Sequence, residues 1–200
     1  MGYNRDVHRR RSIRLRGFDY SGSGAYFITV CTHQRQPLFG HIADGIMVLN
    51  AAGEMVESVW RELVNKFPGI RLHEFVTMPN HIHGVIEIMQ PVGADLCVCP
   101  ELCVCPDGAN AYKGECKGSH TGAPLPEIVQ WFKTMTTNAC IRGVKHDGWR
   151  PFAGRVWQRN YYEHVIRDQR AYLHIAGYIR SNPLQWPADR YHIDTAPDYF

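Results

Sequence analysis

Hydrophobic and polar positions alternate along the chain in two periods, and the switch between them sets out the expected elements. Residues 25–31 (AYFITVC) are β-branched and aromatic and predict a strand. From Asn50 the apolar positions Ala52, Val56, Val59, Trp60, Leu63 and Phe67 recur at helical spacing until Pro68-Gly69 stops them. Two strands follow, at about 71–78 and 82–89, joined by a Pro79-Asn80 turn. A second amphipathic helix starts near Leu125 and runs through Ile128, Val129, Phe132, Met135 and Ala139. Residues 156–166 read as another strand, and a last helix begins near Asp168. The order strand, helix, strand, strand, helix, strand predicts an α+β, ferredoxin-like antiparallel sheet with one extra C-terminal helix.

The run FVTMPNHIHGVIEI interrupts an otherwise apolar strand with two histidines. Period-two geometry puts His81, His83, Val85 and Glu87 on one face and Ile82, Gly84, Ile86 and Ile88 on the other, which is the expected core face. Neighbouring imidazoles on one strand face can hold a single metal ion; the plain alternative is a solvated face. In the last helix, DQRAYLHIAGYIRSNP, Tyr172, Ile175, Ala176 and Ile179 make the core stripe. Tyr178 lies about 120° from the centre of that stripe, with Asn182 four residues further along the same face. An Asn oxygen and two imidazoles make a facial site for a divalent ion. By themselves, a surface tyrosine and an Asn-Pro helix stop are also common.

Positive charge is concentrated at the N-terminus. The 200 residues carry a net charge of +3, yet six arginines, Arg5, Arg9, Arg10, Arg11, Arg14 and Arg16, face only Asp6 and Asp19 within the first twenty positions. A basic arm on a near-neutral body points to phosphate, and arginine suits nucleic acid better than lysine does. The expected organisation is a basic arm at 1–20, a domain at 21–186 and a tail at 187–200. No apolar run approaches the roughly 20 residues of a membrane helix, and the arginine-rich start lacks the apolar stretch of a secretory signal. Seven cysteines without such a signal imply reduced thiols and a cytoplasmic place.

An insert at 91–124 repeats the pentapeptide LCVCP at 96–100 and 102–106. Cys97, Cys99, Cys103 and Cys105, with Cys116 and His120, offer Zn2+ ligands, although the CxC spacing departs from common zinc patterns and a plain loop accounts equally for the Gly- and Pro-rich flanks.

RRSIRLRGFDYSGSGAYFITVCTHQRQPLFG, MPNHIHG and WQRNYYEHVIRDQRAYLHIAGYIRSNPLQW, taken in order, resemble the REP-associated tyrosine transposases, a branch of the single-tyrosine HUH transposases. The likeness spans the chain apart from the insert and the last dozen residues. It implies a ferredoxin-like fold, a divalent cofactor (Mg2+ or Mn2+) and a covalent tyrosine–DNA intermediate. It implies Tyr178 as the catalytic tyrosine and His81, His83 and Asn182 as metal ligands. Single-stranded or hairpin DNA, such as REP-like elements, is then the expected partner, in a bacterial, nucleoid-associated setting, with monomer or homodimer left open. Arg159, Tyr161 and Tyr162 are further expected DNA contacts, through charge and base stacking, though the two tyrosines can equally be core. Three other readings stand beside this one: a histidine-triad hydrolase, which Val85 at the third alternate position excludes, an HUH replication-initiator nuclease, and a non-catalytic DNA- or zinc-binding regulator.

Overall fold

The computed structural model describes residues 23–89 and 123–193. The basic arm and the LCVCP insert, with their arginines and cysteines, lie outside the described residues, so the zinc and arm expectations have no structural counterpart here.

Four strands form one antiparallel sheet: β1 (Gly24–Cys31), β4 (Ile70–Met78), β5 (His81–Ile88) and β6 (Tyr162–Ile166), in the order β4-β5-β1-β6. Helix α1 (Ala51–Lys66) links β1 to β4, and α2 (Leu125–His146) links β5 to β6. This is the expected ferredoxin-like arrangement, with α3 (Gln169–Ser181) as the extra helix. Side-chain caps set two of the helix starts: Asn50 accepts from the Gly53 N–H for α1, and Asp168 from the Ala171 N–H for α3.

β5 is a central strand buried on both faces. Ile82, Gly84, Ile86 and Ile88 face α1 and α2, as their spacing predicts, in a core with Trp60, Leu63, Ile128 and Phe132. Gly84 is required there, because a Cβ would meet the Trp60 ring at 2.5 Å. The opposite face is not solvated. Val85 packs with Phe27, Ile166 and Ile179 beneath α3, and His81 and His83 are buried beside them.

Two elements differ from expectation. A hairpin, β2 (Gly40–Ala43) with β3 (Ile46–Leu49), precedes α1. Asp44 and Gly45 at its tip both have positive φ (51° and 74°), the requirement of a tight turn between twisted strands. The expected strand at 156–166 shortens to Tyr162–Ile166. Upstream of it, Trp157 makes only an isolated bridge to Thr32 and buries its ring, with Nε1 donating to Thr136 Oγ1 at 2.8 Å. Burial of this large side chain takes the segment out of the sheet. Among the described residues no helix is long and apolar enough to cross a membrane.

Candidate metal and nucleophile site

His81 and His83 face the same way from β5, and their Nε2 atoms are 3.1 Å apart. Each Nδ1 is turned away and anchored. His81 Nδ1 is 2.8 Å from Asn80 Oδ1, and Asn80 is itself held by donating to the Tyr191 carbonyl at 2.8 Å. An amide oxygen only accepts, so His81 carries its proton on Nδ1 and shows a lone pair at Nε2. His83 Nδ1 is 2.8 Å from Thr29 Oγ1, which β1–β5 pairing sets directly opposite it. Hydrogen bonds of this kind orient imidazoles for coordination.

Two further oxygen donors approach from the C-terminal side. Asn182, which closes α3, is buried; its Nδ2 donates to Asp189 Oδ2 at 3.0 Å, while its Oδ1 is buried without a hydrogen-bond partner among the described residues. The ligand atoms of His81, His83 and Asp189 all lie within 4.8 Å of one another. Two imidazoles, one carboxylate and one orphaned amide oxygen form a donor set that fits a divalent ion such as Mn2+ or Mg2+.

Burial is the main cause that pushes His81 down to about 4, against the opposing pull of Asp189 and Asn182, with Arg190 and Arg35 adding to the fall. Burial, then His81 and Arg190, hold His83 well below its ordinary value. Both rings are therefore neutral near pH 7, the form that coordinates metal.

The same shift has a consequence for stability. The unfolded chain takes up a proton on His81 near pH 6.5, and the folded chain only near pH 4. Stability from the neutral ring is full above about 6.5 and falls as pH drops towards 4. Urea midpoints of metal-free protein should decline over that window, and His81→Asn should flatten the decline. A wild-type midpoint independent of pH there would contradict a buried neutral His81.

Tyr178 stands at the edge of this group. Its hydroxyl is 3.2 Å from His83 Nε2, and its ring meets Phe27 edge-on with centroids 6.2 Å apart. Desolvation is the largest cause raising the Tyr178 phenol above its ordinary value; Asp189 adds to it and Arg190 opposes it. The off-stripe position anticipated from the helical wheel proves half-buried rather than surface. α3 lies over the histidine face, so the flank carrying Tyr178 and Asn182 is turned to the site.

The structure thus brings Tyr178, His81, His83 and Asn182 together. The stacking residues are spread differently. Arg159 is exposed, Tyr162 is 39% exposed, and Tyr161 packs against the main core. Asp189 was missed, as were Asn80, Thr29 and Tyr191, whose ring packs 4.7 Å from that of His81. Asp189 and Tyr191 fall in the segment assigned to a tail. Asn80 alone had a local signal, its position directly before the first histidine.

No protein-family model matches the chain. A solved REP-associated tyrosine transposase, bound to a REP hairpin, superposes with a TM-score of 0.50 at 18% identity, over 88% of this chain and 73% of that one. At that identity the likeness is one of fold, and the chain has the α+β fold of that transposase. An uncharacterized protein of Haemophilus influenzae is 40% identical over 192 residues, spanning 96% of this chain and 98% of that protein. The chain belongs to one family with this Haemophilus protein.

Proposed function

We propose that the protein is a metal-dependent, single-tyrosine DNA transposase or endonuclease that cuts and rejoins single-stranded DNA, with hairpin elements of the REP type as its substrate class. The observation that carries this is the Tyr178 hydroxyl 3.2 Å from the Nε2 of a neutral histidine pair, beside an unpartnered amide oxygen and a carboxylate. The likeness of fold to a transposase solved with a REP hairpin supports it.

His81, His83, Asp189 and Asn182 would hold the cation. A bound divalent ion supplies Lewis-acid polarisation of a phosphate oxygen and favours the phenolate of a nearby tyrosine. Tyr178 Oη attacks phosphorus, a new P–O bond forms, and the bond to the 3′ oxygen breaks. The 3′ oxygen takes up a proton and leaves as a hydroxyl, and the 5′ side stays on the protein as a phosphotyrosine diester. The phenolic proton passes to solvent. Because one phosphodiester replaces another, the 3′-hydroxyl can attack in reverse and reseal the strand without a nucleotide cofactor. Thr29 and Asn80 orient the imidazoles throughout. The arginine-rich arm and Arg159 add phosphate contacts, Tyr162 a stacking surface, and the work belongs at the bacterial nucleoid.

Nicking of a single-stranded hairpin oligonucleotide, with Mn2+ or Mg2+ and then with chelator, tests the reading. Cleavage that appears with the ion and stops with chelator is expected. DNA binding without cleavage under either condition would favour a non-catalytic regulator instead.

A further inference from the structure

Arg190 follows Asp189 directly, and its exposed guanidinium lies over the Tyr191 ring, 4.6 Å from the centroid. The guanidinium of Arg35, also exposed, lies over the same ring at 5.4 Å. Tyr191 in turn packs on His81, so both charges sit one ring away from the histidine pair. Arg190 is held from several sides. It stands over the Tyr162 ring at 5.7 Å, donates to the Tyr191 hydroxyl, and its carbonyl accepts from Arg35 Nη1 at 3.0 Å.

Arg35 reaches this position through an unusual backbone. Gln34 and Arg35, just beyond β1, both adopt left-handed φ (54° and 56°), a conformation disfavoured for residues with side chains and enriched at functional sites. Neither arginine has an acidic partner among the described residues. The neighbouring Asp189 is occupied by the Asn182 amide and the Tyr191 N–H. Two guanidinium groups fixed on aromatic faces and exposed, with no acidic partner among the described residues, match the planar, bidentate geometry of phosphate.

We propose that Arg35 and Arg190 form a phosphate clamp at the mouth of the histidine site, gripping a phosphodiester of the DNA strand next to the one Tyr178 attacks. The clamp rests on the reading of DNA as substrate. Its work is to hold the strand across Tyr191 so that the scissile phosphate meets Tyr178, and no bond is made or broken by it.

Binding is read in chelator, where cleavage plays no part, with full-length protein and a fluorescent single-stranded hairpin oligonucleotide. Arg35→Gln/Arg190→Gln should weaken affinity at least about tenfold. It should also make the slope of log affinity against log salt shallower by about 1.4, at about 0.7 for each single-strand phosphate contact. Arg35→Lys/Arg190→Lys should restore most of that slope. In a second arm, single linkages of the oligonucleotide are replaced by neutral methylphosphonate. Wild-type protein should lose affinity at one or two linkages to which the double Gln variant is indifferent.

Unchanged affinity and slope in the double Gln variant, with wild-type cleavage intact, would overturn the clamp and leave the nuclease reading standing. The expected binding pattern without any covalent adduct in Mn2+ would keep the clamp as a DNA site and remove the nuclease reading. A wild-type protein that binds no DNA would remove both.

Discussion

Tyr178→Phe should abolish strand cleavage and covalent DNA adducts, by about 10⁴-fold or more, while leaving folding and DNA affinity nearly intact. The substitution removes one hydroxyl and keeps the ring that packs against Phe27 and His83. The hydroxyl it removes lies 3.2 Å from His83 Nε2. Tyr172 provides the comparison on the same helix. Its hydroxyl donates to Glu74 Oε2 at 2.6 Å, which ties α3 to β4 instead of facing the histidines. Tyr172→Phe should therefore cost about 1 kcal/mol of stability and retain cleavage. A denaturing gel of protein incubated with labelled oligonucleotide and Mn2+ separates the two variants. An adduct that persists in Tyr178→Phe would mean the nucleophile lies elsewhere.

The second large effect belongs to the histidine pair. His81→Ala or His83→Ala should remove divalent-dependent cleavage altogether, because each deletes one of the paired Nε2 donors. Asp189→Asn should come next, since it takes away the negative charge that favours a cation, and Asn182→Ala should weaken cleavage least, since a neutral amide oxygen is the poorest donor of the four. Metal alone gives an independent reading. Mn2+ should raise the melting temperature of wild-type protein, as any ligand that binds the native state does, and should raise that of His83→Ala far less. Full cleavage by His83→Ala in chelator would rule out a metal mechanism.

How much of this was legible in the sequence depended on whether a feature is local. The two faces of β5 followed from period two, because alternation fixes side-chain direction along a strand without knowledge of the fold. The same was true of α1, whose apolar stripe is continuous, and of Tyr178 and Asn182 sharing a helix flank. The β2–β3 hairpin was equally local, with Asp44-Gly45 at its tip, but strands of four residues each gave too short a pattern to register. The length of β6 was misread because apolar character at Val156 and Trp157 reports burial, and burial here is in the core beside the sheet and not in a strand.

Asp189 illustrates the opposite case. Nothing in PADRYH marks it as a ligand, and it reaches the histidines only because the chain turns back after α3 through the Trp186–Ala188 turn. Thr29 is similarly hidden, since its place opposite His83 exists only once β1 and β5 pair. The anchoring of each imidazole is thus a product of tertiary structure, whereas the imidazoles themselves are visible in three letters of sequence, HIH.

A covalent link between DNA and one tyrosine is tested by its location on the chain. Wild-type protein is incubated with a single-stranded hairpin oligonucleotide and Mn2+, denatured, digested with nuclease and protease, and analysed by mass spectrometry for a nucleotide-bearing peptide. A 5′-phosphotyrosine on Tyr178 is expected, with a free 3′-hydroxyl on the released strand. A nucleotide on any other residue, or strand scission that leaves no nucleotide on the protein, would contradict it.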